Sequence, residues 1–210
     1  MTAIEKLKES IYNLNNLKNM DKWNEAYFYA FNSFLASTRS ILDHLLEDYN
    51  LKYNLGIDLE VYDLNGEFHK KSKGNENAEK FIKWYEDEYK KIKDEPNYGF
   101  LIKKRNIILH RKSIKPTKFK IGMNFPQGLT LTASEGKPAS AIIPLSFDKN
   151  PIVKITTTDK QTGEQSIREE KGIPILEYYL DENPNQTIDI ICEAFLERLK
   201  KMVLDANENF

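Results

Sequence analysis

The sequence predicts an α+β chain, predominantly α: a helical bundle with a β-rich insertion before its last helix. Two observations carry that prediction. Apolar residues recur at helical spacing over residues 4–113 and again over 188–203, as expected of helices that bury one face. Between them, residues 117–180 alternate short β-prone runs with turn residues, the pattern of strands and hairpins. The expected organisation is a bundle over 1–116, a β-rich insertion over 117–182, and a C-terminal helix over 183–210 that packs back on the bundle.

The first helix is set by Ile4, Leu7, Ile11, Leu14 and Leu17. Asp21 is a candidate cap for the second, which runs through Trp23, Tyr27, Phe31, Phe34, Leu35, Ile41, Leu42, Leu45 and Leu46 to about Tyr53 without a glycine or proline. Residues 56–76 are polar, and Asn65-Gly66 and Gly74 read as turns. Asn77 is a candidate cap for a third helix through Phe81, Trp84, Tyr85, Tyr89 and Ile92, which Pro96 stops. A fourth starts near Asn97 or Tyr98 and carries Ile102, Ile107 and Ile108 to about Ser113, ahead of Pro116.

Candidate strands are Lys118–Phe125, Leu129–Ala133, Ala139–Leu145, Ile152–Thr158 and Glu164–Glu169, with turns at Pro126-Gln127-Gly128 and Gln161-Thr162-Gly163. Residues 173–181 fit a strand or a helix. Thr187 is a candidate cap for the last helix, built on Ile188, Ile191, Phe195, Leu196, Leu199, Met202 and Val203. The acidic tail from Asp205 to Phe210 is expected to fray.

Composition narrows the function classes. With 40% apolar and 30% charged residues the chain is globular rather than disordered. No apolar run is long enough to span a bilayer, and Met1–Met20 lacks the apolar core of a signal peptide. A cytoplasmic location is the expectation. The single cysteine, Cys192, allows no intramolecular disulfide and no cysteine-based zinc cluster; beside Ile190 and Ile191 it reads as a buried small apolar side chain. There is no phosphate-binding loop, no dinucleotide fingerprint and no nucleophile elbow. Asp43, His44 and Glu47 lack the second Glu-x-x-His that a di-iron bundle needs. Neither a metal nor an organic cofactor is expected. Glu86-Asp87-Glu88 reads as a solvated helix face.

Net charge is −1, so its distribution matters more than its sum. No acidic residue falls between Glu95 and Glu135, and Lys103, Lys104, Arg105, Arg111, Lys112, Lys115, Lys118 and Lys120 lie in that window. Such a stripe is a candidate polyanion footprint, or else the solvated end of a helix, where cations are favoured by the helix dipole.

Inside the window lies Arg105-Asn106-Ile107-Ile108-Leu109-His110. Imidazole moves protons near neutral pH, and guanidinium holds two phosphate oxygens at once. On a helix, Asn106 and His110 share a face, whereas Arg105, five residues before His110, points elsewhere. One helix therefore does not aim both ends at a single phosphate, but two copies across a two-fold axis can. Arg39-Ser40-Ile41-Leu42-Asp43-His44 repeats the spacing. Two readings of it stand: a surface ion pair Arg39–Asp43 with His44 beside Leu45 and Leu46, or a supporting role for Arg39 or His44 in the cleft of His110.

The Arg105-Asn106-x3-His110 stretch resembles the Arg-polar-x3-His signature of the HEPN superfamily, and the segment Phe31–Tyr49 is similar to the helix that precedes the motif in several of its members. The resemblance covers residues 4–113 and the final helix and leaves 117–180 unexplained. It implies a helical bundle and a metal-independent endoribonuclease, a hydrolase of toxin–antitoxin or defence type, with a composite site at a homodimer interface. It further implies Arg105, Asn106 and His110 as catalytic residues, RNA as substrate, and a cognate antitoxin or immunity protein as a partner. Lys103, Lys104, Arg111 and Lys112 would hold the RNA backbone. Many members of the superfamily lack catalysis, so the alternative is a non-catalytic RNA-binding or dimerisation module.

Overall fold

The structure, a computed structural model, describes residues 2–59, 63–104, 118–124, 130–134, 152–158, 165–171 and 173–210. It is α+β and predominantly α. Its helices are α1 (Ala3–Asn19), α2 (Ala26–Tyr53), α3 (Leu64–Lys71), α4 (Glu76–Asp94), α5 (described over 100–104) and α6 (Ile188–Asn209). Its strands are β1 (Lys118–Asn124), β2 (Thr130–Ser134), β3 (Ile152–Thr158), β4 (Gln165–Lys171), β5 (Ile173–Leu180) and β6 (Asn183–Thr187). Helices and strands fall into two compact units, with α6 belonging to the helical one.

In the helical unit, α2 touches α1, α3, α4 and α6. A capping box opens α1: the Thr2 hydroxyl accepts from Glu5 N–H at 3.2 Å, and Glu5 Oε2 accepts from Thr2 N–H at 2.8 Å. Its buried stripe is Ala3, Leu7, Ser10, Leu14 and Leu17. Ile4 and Ile11, expected on the packed face, are exposed at the edge of that stripe. Asp21 does not cap α2: its carboxylate accepts from Trp23 N–H, and α2 begins at Ala26 behind Glu25, which makes no side-chain cap. The far end of α2 is closed by Asn54 at φ +52° and by Asn50, whose buried amide exchanges two 3.0 Å hydrogen bonds with the Ile57 backbone.

Residues 64–71 form a helix rather than a turn. Asp63 accepts from Gly66 N–H at 3.0 Å, which puts Asn65-Gly66 in the first helical turn. Phe68 is then buried against Phe81, 5.5 Å between ring centres. The cap of α4 is Asn75, not Asn77, with its side chain on Ala78 N–H. All seven apolar positions read for the last helix are buried. Asp189, in the first turn of α6, is held by Lys22 and by the Tyr27 hydroxyl, which donates at 2.9 Å. Cys192 is buried, and burial pushes its thiol pKa well up. The tail does not fray: α6 extends to Asn209, and the Phe210 ring packs on Phe81 and Trp84 at 5.6 and 5.4 Å. No helix among the described residues is long and apolar enough to cross a membrane.

The strand unit holds a four-stranded antiparallel sheet, in order β2-β1-β5-β6, and a two-stranded antiparallel ribbon of β3 and β4. The segment left undecided, 173–181, is β5. Strand β6 fills residues 183–187, so the return to helix comes at Ile188. Pro174 pairs with Met123 of β1, while β6 pairs only with the Tyr179–Leu180 end of β5. Among the described strands β5 is thus paired on one side only at Pro174, near the strand's start, where proline is tolerated. The candidate strand Ala139–Leu145 and the turns at 126–128 and 161–163 lie outside the described residues.

Two substitutions test this packing by thermal denaturation. Phe81→Ala, at the centre of the aromatic cluster, is expected to cost about 3–5 kcal/mol. Phe210→Ala should cost about 1–2 kcal/mol, lowering Tm by roughly 2–8 °C; an unchanged Tm for Phe210→Ala would show that the terminal ring carries no packing energy.

Candidate functional site

The chain enters the basic window through a tight connection. Helix α4 stops at Glu95, whose N–H bonds to the Ile92 carbonyl, and Pro96 follows. Gly99 N–H donates to the Glu95 carbonyl at 2.7 Å. A Cβ on Gly99 would lie 2.3 Å from the Lys93 carbonyl oxygen and 2.7 Å from that of Glu95, so only glycine fits without a backbone shift. Helix α5 starts at residue 100 and is fixed at once by Leu101 and Ile102, both buried; Lys103 is exposed and Lys104 half-buried.

Arg105, Asn106, His110, Arg111 and Lys112 lie outside the described residues. Of the proposed RNA-backbone contacts, Lys103 and Lys104 are described, and they follow directly on the anchored start of α5. Lys120, also in the acid-free window, lies on β1 with its ammonium 4.6 Å from the centre of the Tyr179 ring, while Tyr179 donates to Glu177 at 2.7 Å. That cation is thus engaged within the sheet. Burial and the Glu177 carboxylate push the Tyr179 hydroxyl pKa up to about 12.

The second Arg-x4-His pattern is not assembled into one site. Arg39 Nε donates to Asp43 Oδ2 at 3.4 Å, the surface ion pair expected from the spacing. His44 Nδ1 contacts Glu47, one turn on. Arg39 lines a cavity of about 350 Å³ between α2, α3 and α4, together with Asp43, Glu47, Asp63, Glu86 and Tyr89. Those four carboxylates outnumber the single guanidinium, so the cavity repels phosphate. The wall is internally paired: Glu86 Oε1 is 2.9 Å from His69 Nε2 and accepts from Asn65 Nδ2 at 3.1 Å. Among the described residues, no group of three His, Cys, Asp or Glu side chains could hold a metal ion.

Glu88 departs from its expected place on a solvated face. It is buried, and its carboxylate takes Arg198 of α6 on one oxygen and Lys91 Nζ on the other at 2.6 Å. Burial works to raise the Glu88 pKa, but the hydrogen bonds and charges of Arg198 and Lys91 outweigh it and hold the group below the usual glutamate value. Neither Glu88 nor Arg198 stands out in the sequence, because their pairing joins residues far apart in the chain. Compared with protein-family models, with curated proteins and with solved structures, the chain matches none.

Two outcomes follow. Gly99→Ala should destabilise the protein by about 1–3 kcal/mol in urea denaturation, since backbone atoms must move to admit the methyl group. The depressed pKa of Glu88 makes its contribution to stability full above the unfolded value of 4.5 and lost as pH falls through the lower folded value. Glu88→Gln should therefore flatten the acid limb of the stability–pH curve; a limb of unchanged slope would show that the pair adds nothing.

Proposed function

We propose that this chain is a metal-independent endoribonuclease of the HEPN kind, acting on RNA as a homodimer in a toxin–antitoxin or defence setting. The observation that carries the reading is the Arg105-Asn106-x3-His110 pattern within a stretch free of acidic residues. A predominantly helical fold supports it, as does the firm anchoring of the residues just before the motif by Leu101 and Ile102. The five-residue step between Arg105 and His110 favours a cleft shared by two protomers, each supplying one edge.

In this reaction the 2′-hydroxyl gives its proton to a His110 imidazole and attacks the neighbouring phosphorus. The bond to the 5′-oxygen breaks, and that oxygen takes a proton from the second His110. The products are a 2′,3′-cyclic phosphate and a 5′-hydroxyl. Arg105 stabilises the charge that builds on the non-bridging oxygens, and Asn106 orients a phosphate oxygen or the imidazole. Lys103, Lys104, Arg111 and Lys112 hold the flanking backbone, so affinity falls as salt rises, by about 0.7 in log K per log salt for each single-strand phosphate neutralised. A cognate antitoxin or immunity protein would act by covering this surface.

A second reading keeps RNA binding and dimerisation without cleavage, with the strand unit as the interaction surface. It is favoured by the outer strands β2 and β6, each paired on one side only among the described strands.

Incubation of the purified protein with total RNA in the presence of a chelator separates the two. The nuclease reading expects cleavage that His110→Ala lowers by about 10²–10⁴-fold. Equal cleavage by wild type and His110→Ala overturns it, and a gel shift without degradation supports the non-catalytic module.

A further inference from the structure

The space between α2, α3 and α4 repels phosphate, and the same chemistry suits it to the opposite charge. At about 350 Å³ it lies within the usual size of small-ligand pockets, about 300–1,000 Å³. Its carboxylates come from more than one direction: Asp43 and Glu47 from α2, Asp63 from the cap of α3, and Glu86 from α4. Their partners do not balance them. Among the described residues the lining holds one permanent cation, Arg39, which is 3.4 Å from Asp43. Glu47 and Glu86 contact the imidazoles of His44 and His69, and an imidazole is charged only when protonated. Asp63 accepts from a neutral donor, Gly66 N–H. Asn65 gives its amide N–H to Glu86, while its Oδ1 is buried with no hydrogen-bond partner, so the wall holds a further acceptor that lacks a donor.

Much of the remaining lining is apolar. Leu42, Leu46, Leu59 and Leu64 contribute hydrocarbon surface. Tyr85 and Tyr89, one turn apart on α4, add two rings 6.4 Å apart and 3° from parallel. Aromatic faces carry partial negative charge and attract cations. Carboxylates and a donorless acceptor call for positively charged N–H groups, and leucines call for a hydrocarbon body. Among the described residues no three His, Cys, Asp or Glu side chains group to hold a metal ion, so the cation that fits is extended rather than a point charge.

We infer that this cavity is a binding site for a small aliphatic diamine or polyamine, its methylene stem along the leucines and tyrosines and its ammonium ends toward carboxylates of α2 and α4. Each ammonium brings three donors to a wall rich in acceptors. The inference is independent of the nuclease reading, since it uses no residue of the 105–110 segment.

The test titrates the full chain with diaminohexane and with hexanediol, its uncharged match, by calorimetry at about 0.15 M salt, where exposed charges are screened beyond about 8 Å. Backbone amide chemical shifts locate the ligand. The expected result is saturable binding of one diamine per chain, with shifts centred on residues 39–47, 63–65 and 85–89. Hexanediol should bind at least about tenfold more weakly, the scale of one lost charged hydrogen bond. Asp43→Asn with Glu86→Gln should weaken diamine binding by about tenfold or more. Glu76→Gln with Glu197→Gln, two exposed carboxylates outside the lining, should leave it unchanged. Equal binding of diol and diamine overturns the inference, as do absent or non-saturable binding and shifts centred elsewhere. That comparison uses the unsubstituted chain, so it decides even where the cavity variant fails to fold. Equal losses in the two double variants reduce the effect to general attraction and also overturn it. Binding of a blocked lysine amide without binding of the diamine overturns the polyamine assignment in favour of a partner's side chain.

Discussion

The Tyr49 ring stacks on Phe81 at 3.9 Å while its hydroxyl donates to the Ala206 carbonyl at 2.6 Å, so one side chain of α2 fastens both α4 and α6. The rest of the helical unit is arranged around that junction. Phe68, Trp84, Tyr85 and Phe210 ring the same Phe81 side chain, which brings the short helix α3 and the chain's last residue into one cluster. The donor stays protonated at any ordinary pH, since burial, with the neighbouring Tyr53 and Asp48, pushes the Tyr49 pKa up to about 12. A hydroxyl bonded to a helix carbonyl and a ring stacked on another helix restrict α2 in different directions. The opposite end of the unit is held by Asp189, where Lys22 and Tyr27 secure the start of α6.

How much of this was legible in the chain depends on the range of the forces involved. The buried face of α6 could be read residue by residue, because apolar periodicity reports a helix that packs one side on a core. Helix α3 could not: Asn65-Gly66 is a turn signal locally, and the helix exists because Asp63 caps it and Phe68 finds Phe81. The tail failed for the same reason. Its acidic residues suggested fraying, but Phe210 reaches a cluster assembled from α2, α3 and α4. Ile4 and Ile11 misled in the other direction, since periodicity fixes a stripe's spacing more firmly than its rotation about the helix axis. Strand β6, Asn-Pro-Asn-Gln-Thr, has no apolar alternation at all; it is a strand because β5 offers it an edge after the Asp181-Glu182 turn.

The same distinction governs the site. Ile102 is buried and Lys103 exposed, as expected at the start of a helix that packs its apolar residues. Glu88 was hidden among lysines and acids that look uniformly solvated. Its burial follows from Arg198, and no local pattern announces a charge whose partner is on the last helix. Breaking such a pair leaves one charge buried and poorly answered, so arrangements that separate Glu88 from Arg198 are disfavoured.

The two Arg-x4-His patterns make the case that spacing is a weak carrier of function and surroundings a strong one. In the first, the Arg39 guanidinium is taken by Asp43, the His44 imidazole by Glu47, and the cavity beside them is lined by further carboxylates. A phosphate approaching that region meets net negative charge, and both groups that would receive it are already bound. In the second, no acidic residue occurs in the sequence window that holds Arg105 and His110, while Lys103, Lys104, Arg111 and Lys112 do. The same residue types at the same spacing are thus in one place a helix-surface ion pair and in the other a candidate anion site. In the sequence the two patterns differ in where Asp and Glu fall, from Asp43 and Glu47 at one to none between Glu95 and Glu135 at the other.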